Sequence, residues 1–163
     1  MTDYAKILSA LREAEVEFLV IGGLAATAHG SPRFTLDVDV LYRRSRENYA
    51  CMAAALAEHQ PYLRGAPPGL PFRWDVETIR HGLNFTLTTD LGDVDFLGEV
   101  AGGGTYEQLV ESASTLPLFG DECRCLNLTQ LIRTKRAAGR PKDLEAIAEL
   151  QALLQEGENG ETL

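Results

Sequence analysis

The sequence predicts an α/β fold of the α+β kind, in which a mixed, twisted sheet is flanked by helices and followed by a C-terminal helical segment. Short apolar runs, some alternating with polar residues, indicate strands, and apolar residues three or four positions apart indicate helices. The two patterns alternate along 163 residues, of which 45% are hydrophobic, enough for one core. We expect a single domain over 1–155, with helices over 127–155 packed on it and a flexible tail over 156–163.

The predicted elements follow one another along the chain. An amphipathic pattern predicts a first helix over 4–14, and Ser45 is a suitable N-cap for a second helix that continues to Leu56. Both helices are expected to cover the sheet. The expected strands are residues 18–21, 36–41, 84–89 and 94–97, with 115–119 and 124–126 as candidates for extending the sheet.

The segment over 60–83 is too broken for a long element. It contains four prolines, three glycines and Trp74, the only tryptophan of the chain. Two interpretations stay open. The segment is either a mobile loop or acceptor-binding wall over a site, or an ordered surface loop with Trp74 in the core.

A pair of glycines follows the first strand. The apolar run over 18–21 ends at Gly22 and Gly23, where the backbone can turn sharply and approach a ligand closely. The residues over 24–29 are good helix formers, so the free N–H groups of a short helix would point at whatever lies beside the glycines. This arrangement predicts an anion site.

The next strand carries two carboxylates on one face. Asp37 and Asp39 alternate with Val38 and Val40, so the acidic side chains share one face and the valines face the core. The two carboxylates, about 7 Å apart at the backbone, would repel each other unless they are exposed or bridged. Magnesium bridges such a pair well, because it prefers hard oxygen ligands and completes its shell with water and phosphates.

A third carboxylate is expected from a later strand. Residues 84–97 form a hairpin pattern whose second arm carries Asp93 and Asp95 on one face. Asp93 adjoins the turn glycine and is expected to be solvated, whereas Asp95 lies within the strand. We therefore choose Asp95, although a bulge or register shift would transfer the role to Asp93.

Each of these motifs alone has a common structural explanation. Acidic residues alternate on the exposed face of many strands, glycosyltransferases also use such a pair to hold metal-bound sugar nucleotides, and Gly-Gly often marks a tight turn. The joint order of the glycines and the two acidic strands favours a functional site.

The run from Gly22-Gly23 through His29-Gly30 and Arg33-Phe34-Thr35 to Asp37-Val38-Asp39 resembles the signature of the nucleotidyltransferase (polymerase beta-like) superfamily. The detailed run is most similar to the small prokaryotic branch that includes abortive-infection-type toxins and minimal nucleotidyltransferases. The resemblance implies Mg²⁺-dependent or Mn²⁺-dependent transfer of a nucleoside monophosphate from a triphosphate to a hydroxyl, assisted by two metals. By this resemblance the metal-binding and catalytic residues are Asp37, Asp39 and Asp95, and the nucleotide-binding residues in this part of the chain are Gly22, Gly23, Arg33 and Thr35.

Two helices are expected at the C-terminal end. Asn127 is a plausible N-cap for a helix that ends near Gly139, and Pro141 begins another. The second helix is expected to bury one apolar stripe. The residues of this stripe are Leu144, Ile147, Leu150 and Leu154.

Cations cluster in the same segment. The cluster consists of Arg133, Lys135, Arg136, Arg140 and Lys142. A magnesium triphosphate carries net negative charge and needs cationic partners. The segment over 135–144 is similar to the C-terminal segment of small nucleotidyltransferases, and this resemblance makes Lys135 and Arg140 candidates for phosphate or base contact. Asp143 is interpreted first as a helix-start acid that the helix dipole favours.

Composition restricts the remaining function classes. A formal charge of −9 argues against broad, non-specific binding of nucleic acid. Three cysteines without a secretory signal predict reduced thiols, and no further Cys or His pair at ligand spacing supports a zinc site. The absence of a bilayer-length apolar run and of a signal-peptide pattern makes the cytoplasm the expected location.

The acceptor stays open at this level. The resemblance to toxins favours the 3′ end of transfer RNA, whereas the acidic charge favours a protein hydroxyl, as in antitoxin-like minimal nucleotidyltransferases. Either setting implies a toxin–antitoxin or phage-defence context, in which a partner protein or a homodimer could supply the missing recognition surface. The alternative is a module that binds a nucleotide, metal or partner without turnover.

Overall fold

The computed structural model describes residues 1–161, with side chains as far as residue 158. The elements, in chain order, are α1 (Tyr4–Glu13), β1 (Phe18–Ile21), α2 (Gly22–Ala28), β2 (Asp37–Tyr42), α3 (Arg46–Leu56), β3 (Tyr62–Leu63), α4 (Val76–His81), β4 (Phe85–Thr89), β5 (Gly92–Leu97), α5 (Tyr106–Leu109) with a 3₁₀ turn (Val110–Ser112), β6 (Ser114–Leu118), β7 (Asp121–Cys125), α6 (Leu128–Ala138) and α7 (Pro141–Glu161).

Within these residues, seven strands form one sheet in the order β3-β4-β5-β2-β1-β7-β6. The pairs β2–β5 and β1–β7 are parallel, and the other neighbours are antiparallel. The predicted mixed sheet with flanking helices is therefore confirmed. The two candidate extensions of the sheet correspond to β6 and β7, which form one edge, while the short β3 forms the other.

The segment over 60–83 is ordered and contributes to the core. It contains β3 and α4, and Trp74 is only 9% exposed. The Trp74 indole donates a hydrogen bond to the Met52 carbonyl at 2.9 Å. The centroid of its ring lies 5.3 Å from the ring centroid of Phe85 and 5.2 Å from that of Phe96. Trp74 therefore lies in the core, as the second interpretation predicted, and a role of this segment in binding an acceptor stays a prediction.

Helix α6 begins and ends at the predicted caps, and α7 begins at Pro141 as predicted. The Asn127 side chain accepts a hydrogen bond from the Gln130 amide, and Gly139 ends α6 with a φ of 66°. The prediction that Leu144 is buried is wrong, because its side chain is 62% exposed. The inward-facing residues of this turn are Asp143, Ala146 and Ile147, because Asp143 turns inward to meet cations of the same segment.

Helix α7 continues through Glu161, so the segment predicted as a flexible tail over 156–163 begins within a helix. Positions 162 and 163 of that predicted tail lie outside the described residues. Among the described helices, none combines the length and the apolar character that a bilayer crossing requires. The three cysteines are free, and Cys123 and Cys125 are buried.

A buried amide joins α3 to the ends of two strands. The Asn48 side chain is 3% exposed, accepts a hydrogen bond from the Glu17 amide at 2.8 Å, and donates to the carbonyls of Glu17 at 3.1 Å and Arg43 at 2.8 Å. These backbone groups precede β1 and follow β2, so Asn48 fixes both strands relative to α3.

Replacing Asn48 by Ala is expected to lower the free energy of unfolding by about 1–3 kcal/mol, because the Glu17 amide loses its partner and the carbonyls of Glu17 and Arg43 each lose one of two. Urea denaturation followed by circular dichroism measures this loss. Gln151→Ala, at an exposed position of α7, is the control and should leave the midpoint nearly unchanged. Equal midpoints for the two variants would contradict the assigned role.

Candidate active site

The site is built by the parallel pairing of β2 with β5. The register places Asp37 opposite Asp93 and Asp39 opposite Asp95. Since side chains alternate along a strand, all four carboxylates lie on one face of the sheet. The intervening residues Val38, Val40, Val94 and Phe96 are fully buried on the other face. The hydrophobic core therefore sets the register, and the register assembles the acidic group.

Three of the four carboxylates converge. One oxygen each of Asp37, Asp39 and Asp95 lies within 4.8 Å of the others, and all three residues are half-buried. Hard oxygen donors in this number and spacing suit Mg²⁺ or Mn²⁺. The structure thus brings together the three residues predicted from the sequence. Asp93, expected to be a solvated turn residue, instead lies beside an arginine and outside this group of three.

The electrostatics of the group also fit a cation. The pKa of Asp39 is raised to about 7, chiefly by burial and in smaller part by the charges of Asp95 and Asp37. Burial also raises the pKa of Asp95 above its ordinary value. Asp39 Oδ1 is buried and has no hydrogen-bond partner in the described part of the chain. A divalent ion would supply the missing partner and remove the repulsion.

The two glycines lie against this group. Gly22 has a φ of 64°, and a Cβ atom there would come within 2.4 Å of Asp39 Oδ2. A Cβ atom at Gly23 would come within 2.9 Å of Thr35 Oγ1. Helix α2 begins at Gly22 and not at Leu24 as predicted, because the left-handed conformation of Gly22 reverses the chain directly after β1. The backbone at Gly22 therefore lies directly against the Asp39 carboxylate, with no side chain between them.

Lys135 and Arg140 form the cationic side of the site. The Lys135 charge lowers the pKa of Asp39, though less than burial and the neighbouring acids raise it. The pKa of Arg140 is raised chiefly by its hydrogen bond to Asp143 and in smaller part by Asp39. Both cations consequently lie within electrostatic reach of the carboxylates.

Asp143 holds these two cations in place. Its carboxylate, 1% exposed, accepts hydrogen bonds from the Arg140 Nε at 2.7 Å and backbone amide at 3.1 Å, and Lys135 Nζ lies 3.5 Å away. The hydrogen bond from Arg140 is the main reason why the pKa of Asp143 is lowered. The sequence analysis treated Asp143 as a helix-start acid. The structure adds that it is a buried acid joining α6 to α7.

The remaining predicted residues differ in their placement. Thr35 lies beside Gly23, and its carbonyl accepts a hydrogen bond from the Tyr4 hydroxyl. Arg33 is not directed to the carboxylates. Its Nε donates to Glu149 at 2.7 Å, and its Nη2 lies 3.6 Å from Glu145, so α7 holds the guanidinium. The interpretation of Arg33 as a nucleotide ligand stays a prediction.

Sequence reasoning missed Arg64. This residue directly follows β3, and its guanidinium lies 2.8 Å from Asp95 Oδ1, 3.4 Å from Asp93 Oδ2 and 3.7 Å from Asp37 Oδ2. It lies in the segment rich in proline and glycine, where no periodic pattern indicates which side chains face the site. An arginine next to a two-residue strand therefore carries no signal in the sequence.

Replacing Gly22 by Ala is expected to displace the Asp39 carboxylate and weaken metal binding. The matched control is Gly65→Ala, because Gly65 also has a left-handed φ, 79°, but nothing lies within 4 Å of an added Cβ. Both variants pay the same backbone strain, about 1 kcal/mol. Calorimetric titration with Mn²⁺ should show weaker binding only for Gly22→Ala, and equal affinities would contradict the close packing of Gly22 on Asp39.

The metal-free protein is expected to lose stability as the pH rises from about 4 to about 7. Asp39 ordinarily has a pKa of 3.8 and has one of about 7 in the folded protein, so in this window the folded state binds more protons than the unfolded state. In EDTA, Asp39→Asn should therefore unfold at a higher temperature than the wild type at pH 8, with a smaller difference at pH 5. Each kcal/mol corresponds to about 2–4 °C in Tm. A difference in Tm that does not change with pH would contradict this.

No family model matches the chain, and no curated protein matches it in sequence. Solved structures do match. A Thermotoga maritima protein (TM1012), provisionally assigned as a nucleotidyltransferase, has a TM-score of 0.57 at 17% identity, covering 93% of this chain and 90% of that one. The antibiotic-resistance factor ANT(2'')-Ia has a TM-score of 0.56 at 16% identity, covering 97% of this chain and 90% of that one. The likeness spans nearly all of each chain, so this protein shares the fold of these two structures.

Proposed function

We propose that this protein is a cytoplasmic, Mg²⁺-dependent nucleotidyltransferase that moves a nucleoside monophosphate from a triphosphate to a hydroxyl of RNA or of a protein. The observation that carries the proposal is the convergence of Asp37, Asp39 and Asp95 within 4.8 Å. The uncovered backbone at Gly22 lies against Asp39, and the charges of Lys135 in α6 and of Arg140 between α6 and α7 act on the same carboxylate. The fold shared with ANT(2'')-Ia supports the same reaction class.

The residues around the site have different proposed roles, which follow from where each one lies. Asp37, Asp39 and Asp95 would hold Mg²⁺, which, when bound, orients the triphosphate and stabilises negative charge on the departing pyrophosphate. Gly22 and Gly23 allow close approach of the phosphates to the backbone. Lys135 and Arg140, held by Asp143, supply positive potential on the side of α6 and α7.

The chemistry forms one bond and breaks another. The acceptor oxygen attacks the α-phosphorus, the bond from that phosphorus to the bridging oxygen of the pyrophosphate breaks, and pyrophosphate leaves. The acceptor proton passes to a carboxylate, for which Asp95 is our candidate because it belongs to the converging group and burial raises its pKa.

Two acceptor classes are consistent with the charges. Exposed Arg133, Arg136 and Lys142 extend the cationic surface beyond Lys135 and Arg140, which favours RNA and, by the resemblance to toxins, the 3′ end of transfer RNA. The net charge of −9 favours a basic protein partner. A toxin–antitoxin or phage-defence context, with a partner protein or a second copy, belongs to the same proposal.

The test incubates the protein with each α-labelled nucleoside triphosphate, Mg²⁺ or Mn²⁺, and either total transfer RNA or cell extract. Label is expected on one acceptor class, and Asp39→Asn should lower its incorporation by about 10²-fold or more, because a ligand of the ion is lost. The control is Asp121→Asn, in an exposed acid at the start of β7, which should label as the wild type does.

The position of the label decides the acceptor. Label on RNA or on a polypeptide names the class. Nucleotide binding without label in either arm would contradict transfer and favour the alternative, a module of the same fold that binds a nucleotide or partner without turnover.

A further inference from the structure

Arg64 is fixed at both ends. Its backbone amide donates to the Thr86 carbonyl at 3.0 Å, which continues the β3–β4 pairing by one residue. Its Nη2 donates to the Leu87 carbonyl at 2.7 Å, so the side chain crosses β4 toward β5 and β2. The side chain is 27% exposed, much less than expected for a free surface arginine. Backbone geometry therefore delivers this guanidinium to the acidic face.

The guanidinium lies on one side of the acidic group. It is closest to Asp95 Oδ1 at 2.8 Å and Asp93 Oδ2 at 3.4 Å, and more distant from Asp37 Oδ2 at 3.7 Å. Among the described residues, no ion pair joins Arg64 to Asp39. Asp39 Oδ1 and Asp95 Oδ1 both lack a hydrogen-bond partner there, but only Asp95 Oδ1 has the guanidinium beside it. Direct ion pairs with Arg64 thus reach Asp95, Asp93 and Asp37, whereas Asp39 has no direct ion pair among the described residues.

This asymmetry limits where cations can bind. Four carboxylates on one face could attract two divalent ions, which in two-metal sites lie about 3.5–4 Å apart. An ion placed against Asp95 Oδ1 and Asp37 Oδ2 would meet the permanent positive charge of Arg64, because those are the oxygens nearest to the guanidinium. At such distances like charges repel strongly in a partly buried site. Asp39 has no cation in direct contact among the described residues, and the charges of Lys135 and Arg140 act on it only from farther away.

We propose that Arg64 takes the place of one metal ion, so that this site binds a single divalent ion, on the side of Asp37 and Asp39. The inference rests on the proposed function, since the nucleotide is what brings the ion to the site. Arg64 is then a positioning residue. It holds the Asp95 carboxylate and neutralises the β5 side at any metal concentration, because a guanidinium does not lose its charge at physiological pH.

The experiment counts bound Mn²⁺ by the loss of the aquo-Mn²⁺ signal in electron paramagnetic resonance. The protein is titrated in the presence of each α,β-imido nucleoside triphosphate, which resists cleavage at the reacting bond, and the analogue alone provides the blank. The wild type is expected to saturate at one ion per chain. Arg64→Gln, which removes the charge but keeps a polar side chain, is expected to saturate at two, a twofold increase.

Two further variants serve as controls. Arg64→Lys keeps the charge and should bind one ion, which separates charge from shape. Arg80→Gln removes an arginine that pairs with Glu77 on the surface of α4, and it should bind one ion as the wild type does. If Arg80→Gln also gained an ion, the change in overall charge would explain the result and the assignment to Arg64 would be wrong.

The outcomes separate the two proposals. Two ions bound by the wild type, or one ion bound by a folded Arg64→Gln, overturn the role of Arg64 and leave the proposed function intact. No Mn²⁺ bound with any analogue contradicts the proposed function itself. Should Arg64→Gln fail to fold, as judged by circular dichroism, the wild-type count still decides, since two ions would overturn the inference.

Discussion

The parallel, in-register pairing of β2 with β5 is the constraint on which the rest of the site depends. It aligns Val38 with Val94 and Val40 with Phe96 in the core, and the same alignment brings Asp39 opposite Asp95 on the other face. Moving one strand by a single residue would place two carboxylates among fully buried apolar side chains, at a cost of several kcal/mol for each charge. The core therefore tolerates only the register that also concentrates the acids. Apolar packing on one face of the sheet therefore keeps mutually repelling carboxylates together on the other face.

That repulsion explains the arrangement of the surrounding residues. Burial raises the pKa of both Asp39 and Asp95, so the metal-free site holds acids that resist ionisation. Buried carboxylates of this kind lower the free energy of unfolding, and they are typical of sites in which a bound ligand balances their charge. Backbone bonds that do not involve the acids must then hold the strands in place, and Asn48 contributes by joining the entry of β1 and the exit of β2 to α3. The scaffold and the strained site are stabilised by separate interactions.

Much of this architecture is readable in the sequence because its signals are local. A continuous apolar run identified β1 and alternation identified β2, β4 and β5, all to within two residues at either end, and capping residues identified both ends of α6. Convergence of Asp37, Asp39 and Asp95 was also predictable, since each aspartate lies at a fixed phase within its strand. Arg64 and Asp143 were not predictable as site residues. Their positions depend on a two-residue edge strand and on the rotation of one helix, and both are set by tertiary packing that leaves no period in the sequence.

Two groups of cations surround the carboxylates, and they are held by different partners. This difference makes the two sides of the site electrostatically unequal. Arg64 is anchored by backbone carbonyl and amide bonds on the β3 side, so its charge stays beside Asp95. Lys135 and Arg140 are anchored by the Asp143 carboxylate, and Arg140 is more than half exposed. Their remaining donors are therefore available to an anionic ligand. A polyphosphate would find the more exposed cationic donors toward α6 and α7, and a metal ion would find at Asp39 a carboxylate that no arginine or lysine of the described residues pairs directly. If the proposed transfer takes place here, the triphosphate and its ion would bind on the side of the site away from Arg64, and the acceptor hydroxyl would approach from the β5 side, where Arg64 pairs with Asp95.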